Sequence, residues 1–480
     1  MNRLPNAPAP VTTQVASTPL KVASTPLWAE FGRTLRTRRR LAGMTQQQLG
    51  LRVGYHHSLI SKLEAGLREP PAGLPRRLDD LLDTGGDLSA LLTSRSIPPP
   101  ALHRTHFSLI PGGDAPAGLA PLADRFWPDR LPYHGLPCPL HGKDGAHECE
   151  VPPYADALTI LGEIDGNNPT GVDPDVVHVL TALLGGYTEA GLHGAGTGLV
   201  GSVEYVLRRI VSWAESLNAH GRSPHAQLRL AADYAQLAGR FRMQQGQSVV
   251  GMAWYDRGLN WADVCESPGA RASLLGDVCS LARLDGDAAA ALAYARALEA
   301  VDTGRAWITT LAKLYQARGH ALGGDIGECR QHIAVAHRQV NRFDERDRAE
   351  APWLTGLAGR LRMEATIGGA LRDLAASTGD LASARSAVQS VEAALDLLPV
   401  PMRPARVLLT VRLADALACA GHPDAAALTA APVIHEAAGL GTATTNRELL
   451  GLRRRLSQHW SDLPEVRDLL EQMPGQQARQ

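Results

Sequence analysis

Residues Thr45 to Pro70 read TQQQLGLRVGYHHSLISKLEAGLREP, and this stretch decides the architecture of the amino-terminal part of the chain. Thr45 suits a helix N-cap, because its hydroxyl can accept a hydrogen bond from a first-turn amide that has no intrahelical partner. Leu49 and Val53 follow, four residues apart and so on one helical face. Gly54 can adopt the positive φ that a sharp turn requires. A further helix then turns Leu59, Ile60 and Leu63 inward and carries His57, Ser58, Ser61 and Lys62 on its other side. Glu64 and Gly66 close it, and Arg68-Glu69-Pro70-Pro71 forbids its continuation.

Working outward, Leu27 to Ala42 forms a preceding helix with Leu27, Phe31, Leu35 and, one turn on, Leu41 as its inward stripe. Arg33, Arg36, Arg38, Arg39 and Arg40 lie mostly off that stripe, and Gly43 ends the helix. Two more helices, around Leu74–Leu82 and Asp87–Leu92, complete the set. Five short helices in about 65 residues bury enough apolar surface for a small domain.

Residues 27 to 92 resemble the helix-turn-helix domains of phage repressors and bacterial Xre-type regulators. The likeness rests on the Thr-Gln start of the second helix, the turn glycine and the closing I-S-K-L-E-x-G-x-R-x-P. It implies that Gln46 holds a phosphate from the helix start, and that His57, Ser58 and Lys62 face base edges in the major groove, with Ser61 suited to either task. Gln47 and Arg68 complete the DNA-contacting set that the resemblance implies. His56 departs from it, standing where the family has Ser or Thr as the N-cap of the recognition helix. Charge agrees: between Leu27 and Leu92 ten Arg and Lys face seven Asp and Glu, a balance of +3 (10 − 7), whereas the whole chain is −1 (48 − 49). So small an excess implies weak binding by a single copy, for which a homodimer on a two-part site in double-stranded DNA is the natural remedy.

At 480 residues the chain exceeds one small domain. No run of about 18 uncharged apolar residues occurs, so no membrane span is expected. The best candidate, Val176 to Val206, is interrupted by Glu189, His193 and several glycines. Nor is there an amino-terminal apolar core of the secretory kind. Six cysteines do not make a disulfide scaffold in a chain this long, and a reducing cytoplasm is the simplest setting. Residues 1–26 are rich in Pro, Ala, Thr and Ser, repeat VASTPL, and are expected to be disordered.

Residues 94–155 form a Pro- and Gly-rich linker that contains Cys138-x2-His141-x5-His147-x-Cys149. Four such ligands within a dozen residues suit a structural Zn²⁺, whose binding would supply the folding energy an irregular loop lacks. An irregular surface segment would carry the same residues, and the spacing matches no familiar zinc finger. Glu148 and Glu150 stand nearby, but nothing points to a substrate pocket.

From 156 to 474 Ala, Leu and Arg recur at helical spacing. Gly246, Gly286, Gly324, Gly379 and Gly421 each precede a small-residue helix, at intervals of 40, 38, 55 and 42. A period near 40 suits stacked helix pairs, that is, an α-solenoid. These Gly-Asp turns followed by alanines resemble degenerate tetratricopeptide repeats. The long interval holds NRFDERDRAEAPWL (Asn341–Leu354), read as a loop or insertion. Tyr234, Trp254, Tyr255, Trp261, Trp307 and Tyr315 suit either a concave binding groove or the core between repeats.

The expected fold is therefore all-α: a five-helix repressor-like helix-turn-helix domain followed by a tetratricopeptide-like solenoid. The whole resembles actinobacterial Xre-type regulators with such a carboxy-terminal region, in which the solenoid dimerises and senses a peptide or small signalling molecule. No G-x-x-x-x-G-K-[ST], G-x-S-x-G or H-E-x-x-H motif occurs, so no enzyme activity is expected. The competing class is a protein–protein interaction scaffold with a subordinate DNA-binding domain.

Overall fold

The structure is a computed structural model that describes residues 26–55, 57–66, 70, 74–93, 119, 122–133, 135–141, 148–163 and 174–473. The segment 1–25, His56, Arg68 and His147 lie outside the described residues. The amino-terminal helices are α1 (Pro26–Leu41), α2 (Gln46–Val53), α3 (His57–Glu64), α4 (Leu74–Leu82) and α5 (Asp87–Thr93). Phe31, Leu35, Leu49, Ile60, Leu63, Leu74 and Leu78 fill their common core.

The stripe of α1 differs from the sequence reading at its last turn. Leu41 is 76% exposed, and Arg39 is buried in its place. The reason is geometric: after Phe31 and Leu35 the next residue on the same face is four further on, which is Arg39. Its charge is tolerated there because Glu64 meets it, with Arg39 Nη2 donating to Glu64 Oε2 at 3.0 Å.

The linker contributes a 3-10 turn (Asp124–Phe126) and a two-residue antiparallel pair, β1 (Arg130–Leu131) with β2 (Cys149–Glu150), in which Leu131 faces Cys149. Everything else regular among the described residues is helical. Helix α6 (Tyr154–Glu163) precedes α7 (Pro174–Ala190), and a π-helical turn at Gly191–Ala195 leads into α8 (Gly196–Ala219).

Helix hairpins follow: α9 (His225–Gln244) with α10 (Ser248–Val264), α11 (Pro268–Leu284) with α12 (Ala288–Glu299), and α13 (Ala306–Leu322) with α14 (Ile326–Val340). A short α15 (Glu345–Glu350) then precedes the pairs α16 (Gly356–Thr378) with α17 (Leu381–Leu397) and α18 (Arg403–Cys419) with α19 (Pro423–Ala430). Helices α20 (Ile434–Leu440), α21 (Ala443–His459) and α22 (Pro464–Gln472) close the stack.

All five glycines singled out by spacing sit in the turn within a hairpin, with φ between 73° and 85°. Where Asp follows, it caps the next helix: Asp287, Asp325 and Asp380 accept from the backbone N–H of Ala290, Glu328 and Ser383. The Gly-Asp signature is thus a left-handed residue followed by an N-cap. The 55-residue interval between Gly324 and Gly379 holds α15 and a 3-10 turn at Pro352–Leu354, so the charged segment is partly helical rather than a plain loop. Arg305 anchors it, its side chain within 3.0 Å of Asp347 and 3.1 Å of Glu350. The aromatics belong to the core: Tyr234, Trp254, Tyr255, Trp261 and Trp307 are buried, and Tyr315 is half-buried.

An ionic network ties α16, α18 and α21 together inside the stack. Arg372 meets Asp415 at 3.0 Å and also bonds Glu448, Arg412 reaches Glu448 at 3.0 Å, and Arg455 reaches Asp415 at 2.8 Å. Removing one partner strands the others in a medium that penalises unpaired charge. Arg372→Met should lower stability by about 3–5 kcal/mol, read as an earlier midpoint in urea unfolding followed by circular dichroism. An unchanged midpoint would show the network to be dispensable.

Candidate nucleic-acid interface

Local sequence builds the reading unit. Thr45 and Gln48 form a reciprocal cap at the start of α2: the Gln48 N–H donates to Thr45 Oγ1 at 3.1 Å, and the Thr45 N–H donates to Gln48 Oε1 at 2.8 Å. Gly54 ends α2 in the left-handed region at φ 75°. Helix α3 then packs Leu59, Ile60 and Leu63 inward, which leaves His57, Ser58, Ser61 and Lys62 exposed on one side. They are exposed with the solenoid in place. Together they offer imidazole, hydroxyl and ammonium groups, the donor and acceptor types that base edges recognise.

Of the remaining residues expected to contact DNA, Gln47 is exposed at the start of α2, and Arg68 lies outside the described residues. Gln46 is half-buried, and its side-chain amide donates to Glu64 Oε2 at 2.8 Å. Arg36 Nε approaches the same oxygen at 3.4 Å. Glu64 thus gathers α1, the start of α2 and the end of α3, and fixes where Gln46 and Arg36 stand beside the recognition helix. In the sequence Glu64 reads only as part of the closing segment; its 28-residue separation from Arg36 hides the pairing.

Burial alone would raise the Glu64 carboxyl. Hydrogen bonds from Arg39 and Gln46, with the charges of Arg39 and Arg36, outweigh burial and hold it below the ordinary carboxylate range.

The far end of the unit is clasped to the solenoid. Tyr55, directly after the turn glycine, donates its hydroxyl to Asp263 Oδ2 at 2.5 Å, and Arg77 of α4 donates to the same oxygen at 2.7 Å. Arg271 of α11 bonds the other oxygen of Asp263 and reaches the Val53 carbonyl at 3.4 Å. The Arg77 and Arg271 guanidiniums lie 5.6 and 5.8 Å from the centroid of the Tyr55 ring. Burial pushes the phenol well above its usual range, reinforced by the Asp263 charge, so it remains a donor. A Cβ at Gly54 would lie 2.2 Å from an Arg271 nitrogen, so this glycine serves both the turn and the seam. None of Tyr55, Arg77, Asp263 or Arg271 was marked by the sequence pattern; the one local signal was a tyrosine hydroxyl next to a turn.

The linker cysteines and histidine are also drawn together. Cys138 and Cys149 are buried, and His141 Nδ1 lies 3.5 Å from Cys138 Sγ and 3.3 Å from Cys149 Sγ. The described residue that joins them is His178 of α7.

Residues 30–92 match a family described as "Helix-turn-helix domain". Comparison with curated proteins and with solved structures finds no match. The matched span covers α1 to α5 almost entirely, so the amino-terminal unit is a helix-turn-helix DNA-binding domain. No described helix is long and apolar enough to cross a membrane.

A lowered folded-state pKa means that Glu64 contributes stability above the unfolded-state value of about 4.3, and that this contribution is lost as pH falls through the folded value. Glu64→Gln should lower stability at neutral pH and flatten the acid limb of the stability–pH profile. An equally steep acid limb in the variant would assign that limb to other carboxyls.

Proposed function

We propose that the chain is a sequence-specific transcriptional regulator that binds double-stranded DNA as a homodimer, with operator affinity set by a ligand or partner on its helical repeats. The observation that carries this reading is the exposed polar face of α3, which stays accessible although the α2–α3 turn is docked on the solenoid. Each α3 enters a major groove, with half-sites about 34 Å apart or a multiple of that. Arg36, Gln46 and Gln47 take phosphates, while His57, Ser58, Ser61 and Lys62 read base edges. Arg68, which follows α3 in the sequence, completes the set.

The solenoid, of tetratricopeptide-like type, supplies the dimer contacts and the sensor. A cleft of about 340 Å³ runs along the seam, lined by Arg52, Gly54, Arg77, Asp263, Arg271 and Ala300 among others. An effector seated there, a peptide or small molecule with an anionic group to meet the arginines, competes for the partners of Asp263 and shifts the DNA-binding domain. The protein is then a binder rather than an enzyme.

Two measurements test this. Footprinting with the full chain should protect a discrete two-part site; salt-labile binding without a footprint, together with co-purification of a protein partner, would favour the scaffold reading. Within such a site, the double variant Lys62→Ala, Ser58→Ala should bind specific and non-specific DNA alike in gel-shift competition while keeping its helical spectrum. Retained preference would remove these residues from readout.

The clasp has its own test. Asp263→Ala frees the domain from the fixed geometry that lets two copies engage two half-sites together, so affinity for the full site should fall by at least about tenfold. Affinity for an isolated half-site should be unchanged. Equal affinities of variant and wild type on the full site would show that the seam has no part in binding.

A further inference from the structure

Cys138 and His141 bracket a turn in which the His141 N–H donates to the Cys138 carbonyl at 3.2 Å, so both side chains leave on one side. Cys149 comes from β2, whose pairing with β1 fixes it opposite Leu131. His178 comes from α7, in the apolar run PDVVHVLTALL. The ligand atoms of all four lie within 4.8 Å of one another. In a tetrahedral zinc site with Zn–S and Zn–N bonds of about 2.3 and 2.0–2.1 Å, a sulfur–nitrogen edge is roughly 3.6 Å. The two such edges at His141 are 3.5 and 3.3 Å.

We propose that Cys138, His141, Cys149 and His178 bind one Zn²⁺ that staples the linker to the first face of the solenoid. The charge balances: two thiols release their protons on binding, and two thiolates with two neutral imidazoles leave the buried site without net charge. Four protein ligands close the coordination sphere, so the ion is structural rather than catalytic. The set replaces His147, the fourth ligand that local spacing suggests, with a residue from a separate element.

Packing around the site supports the staple. Gly185 lies two turns after His178 on the same side of α7, and a Cβ there would meet the Tyr133 ring at 2.5 Å. At Gly186 a Cβ would meet Leu122 at 2.7 Å and the Phe126 carbonyl at 2.8 Å. The linker is therefore pressed onto α7 along the helix that supplies His178, and the metal fixes one end of that contact. A second cluster, His320, Glu328 and His332, offers three ligands and stands beside Lys313, whose charge disfavours a cation there.

The test uses the full chain, purified without chelators. Elemental analysis should find about one zinc per chain, the stoichiometry of a single closed site. The cobalt(II)-exchanged protein should show the d–d absorption of a tetrahedral site with sulfur-to-cobalt charge transfer. His147→Ala should keep the metal and His178→Ala should lose it. If His178→Ala fails to fold, His178→Cys decides instead, by retaining zinc and strengthening the charge-transfer band. Absence of zinc, a Cys138–Cys149 disulfide in the mass spectrum, or loss of metal in His147→Ala but not in the His178 variants would each overturn the proposal.

Discussion

The carboxylate of Asp263 is 7% exposed, and its three donors come from both sides of a domain boundary. Tyr55 and Arg77 belong to the DNA-binding domain, whereas Arg271 belongs to the solenoid, like Asp263 itself. A buried carboxylate costs several kcal/mol in lost hydration, recovered only when its lone pairs are met. Arg271 alone meets one oxygen; the other is met only when the domain is docked. The hydrogen bonds of Asp263 therefore specify the orientation of the docked arrangement, since directional polar contacts fix register more strictly than apolar area does. Because Tyr55 directly follows Gly54, the seam grips the turn that sets the angle between α2 and α3.

Much of this was legible in the sequence, for a common reason. The cap at Thr45, the turn at Gly54, the inward Leu59, Ile60 and Leu63, and the five hairpin glycines all act through neighbours a few residues away. Their backbone conformation is dictated locally, and periodicity reports it. What escaped depends on distant partners. Arg39 takes a core position over Leu41 because Glu64, 25 residues on, neutralises it. Tyr55 is buried because of Asp263, 208 residues away. His178 in an apolar helix and a Cys/His cluster in a loop are each visible, but nothing in one dimension says that they meet.

A single device recurs where helices must be held in register. Glu64, Asp263, and the pair Asp415 and Glu448 are each buried acids encircled by arginines. The chain contains 44 Arg and only 4 Lys. A guanidinium presents five donors in a plane and bridges two or three elements at once, which an ammonium on a flexible stem does less well. Arginine thus serves as internal framework here. Lys62, exposed on α3, stands apart from that use, a compact cation directed outward rather than a fork directed inward.

The distribution of apolar burial then decides where the molecule can move. The DNA-binding domain closes its own core around Phe31, Leu35, Ile60 and Leu63, and the linker and the solenoid helices from α6 to α18 share a separate continuous one. Neither core crosses the Asp263 seam, whose cleft is lined by Arg52, Arg77, Asp263, Glu266 and Arg271 alongside smaller apolar groups such as Leu51, Ala297 and Val301. Opening either core exposes a large apolar surface to water, whereas opening the seam exchanges protein hydrogen bonds for bonds to solvent and uncovers only a few apolar side chains, a smaller net change. The low-energy displacement of this chain is therefore the DNA-binding domain moving as a unit against the solenoid. Since the seam holds the domain at the α2–α3 turn, that displacement carries the recognition helix with it.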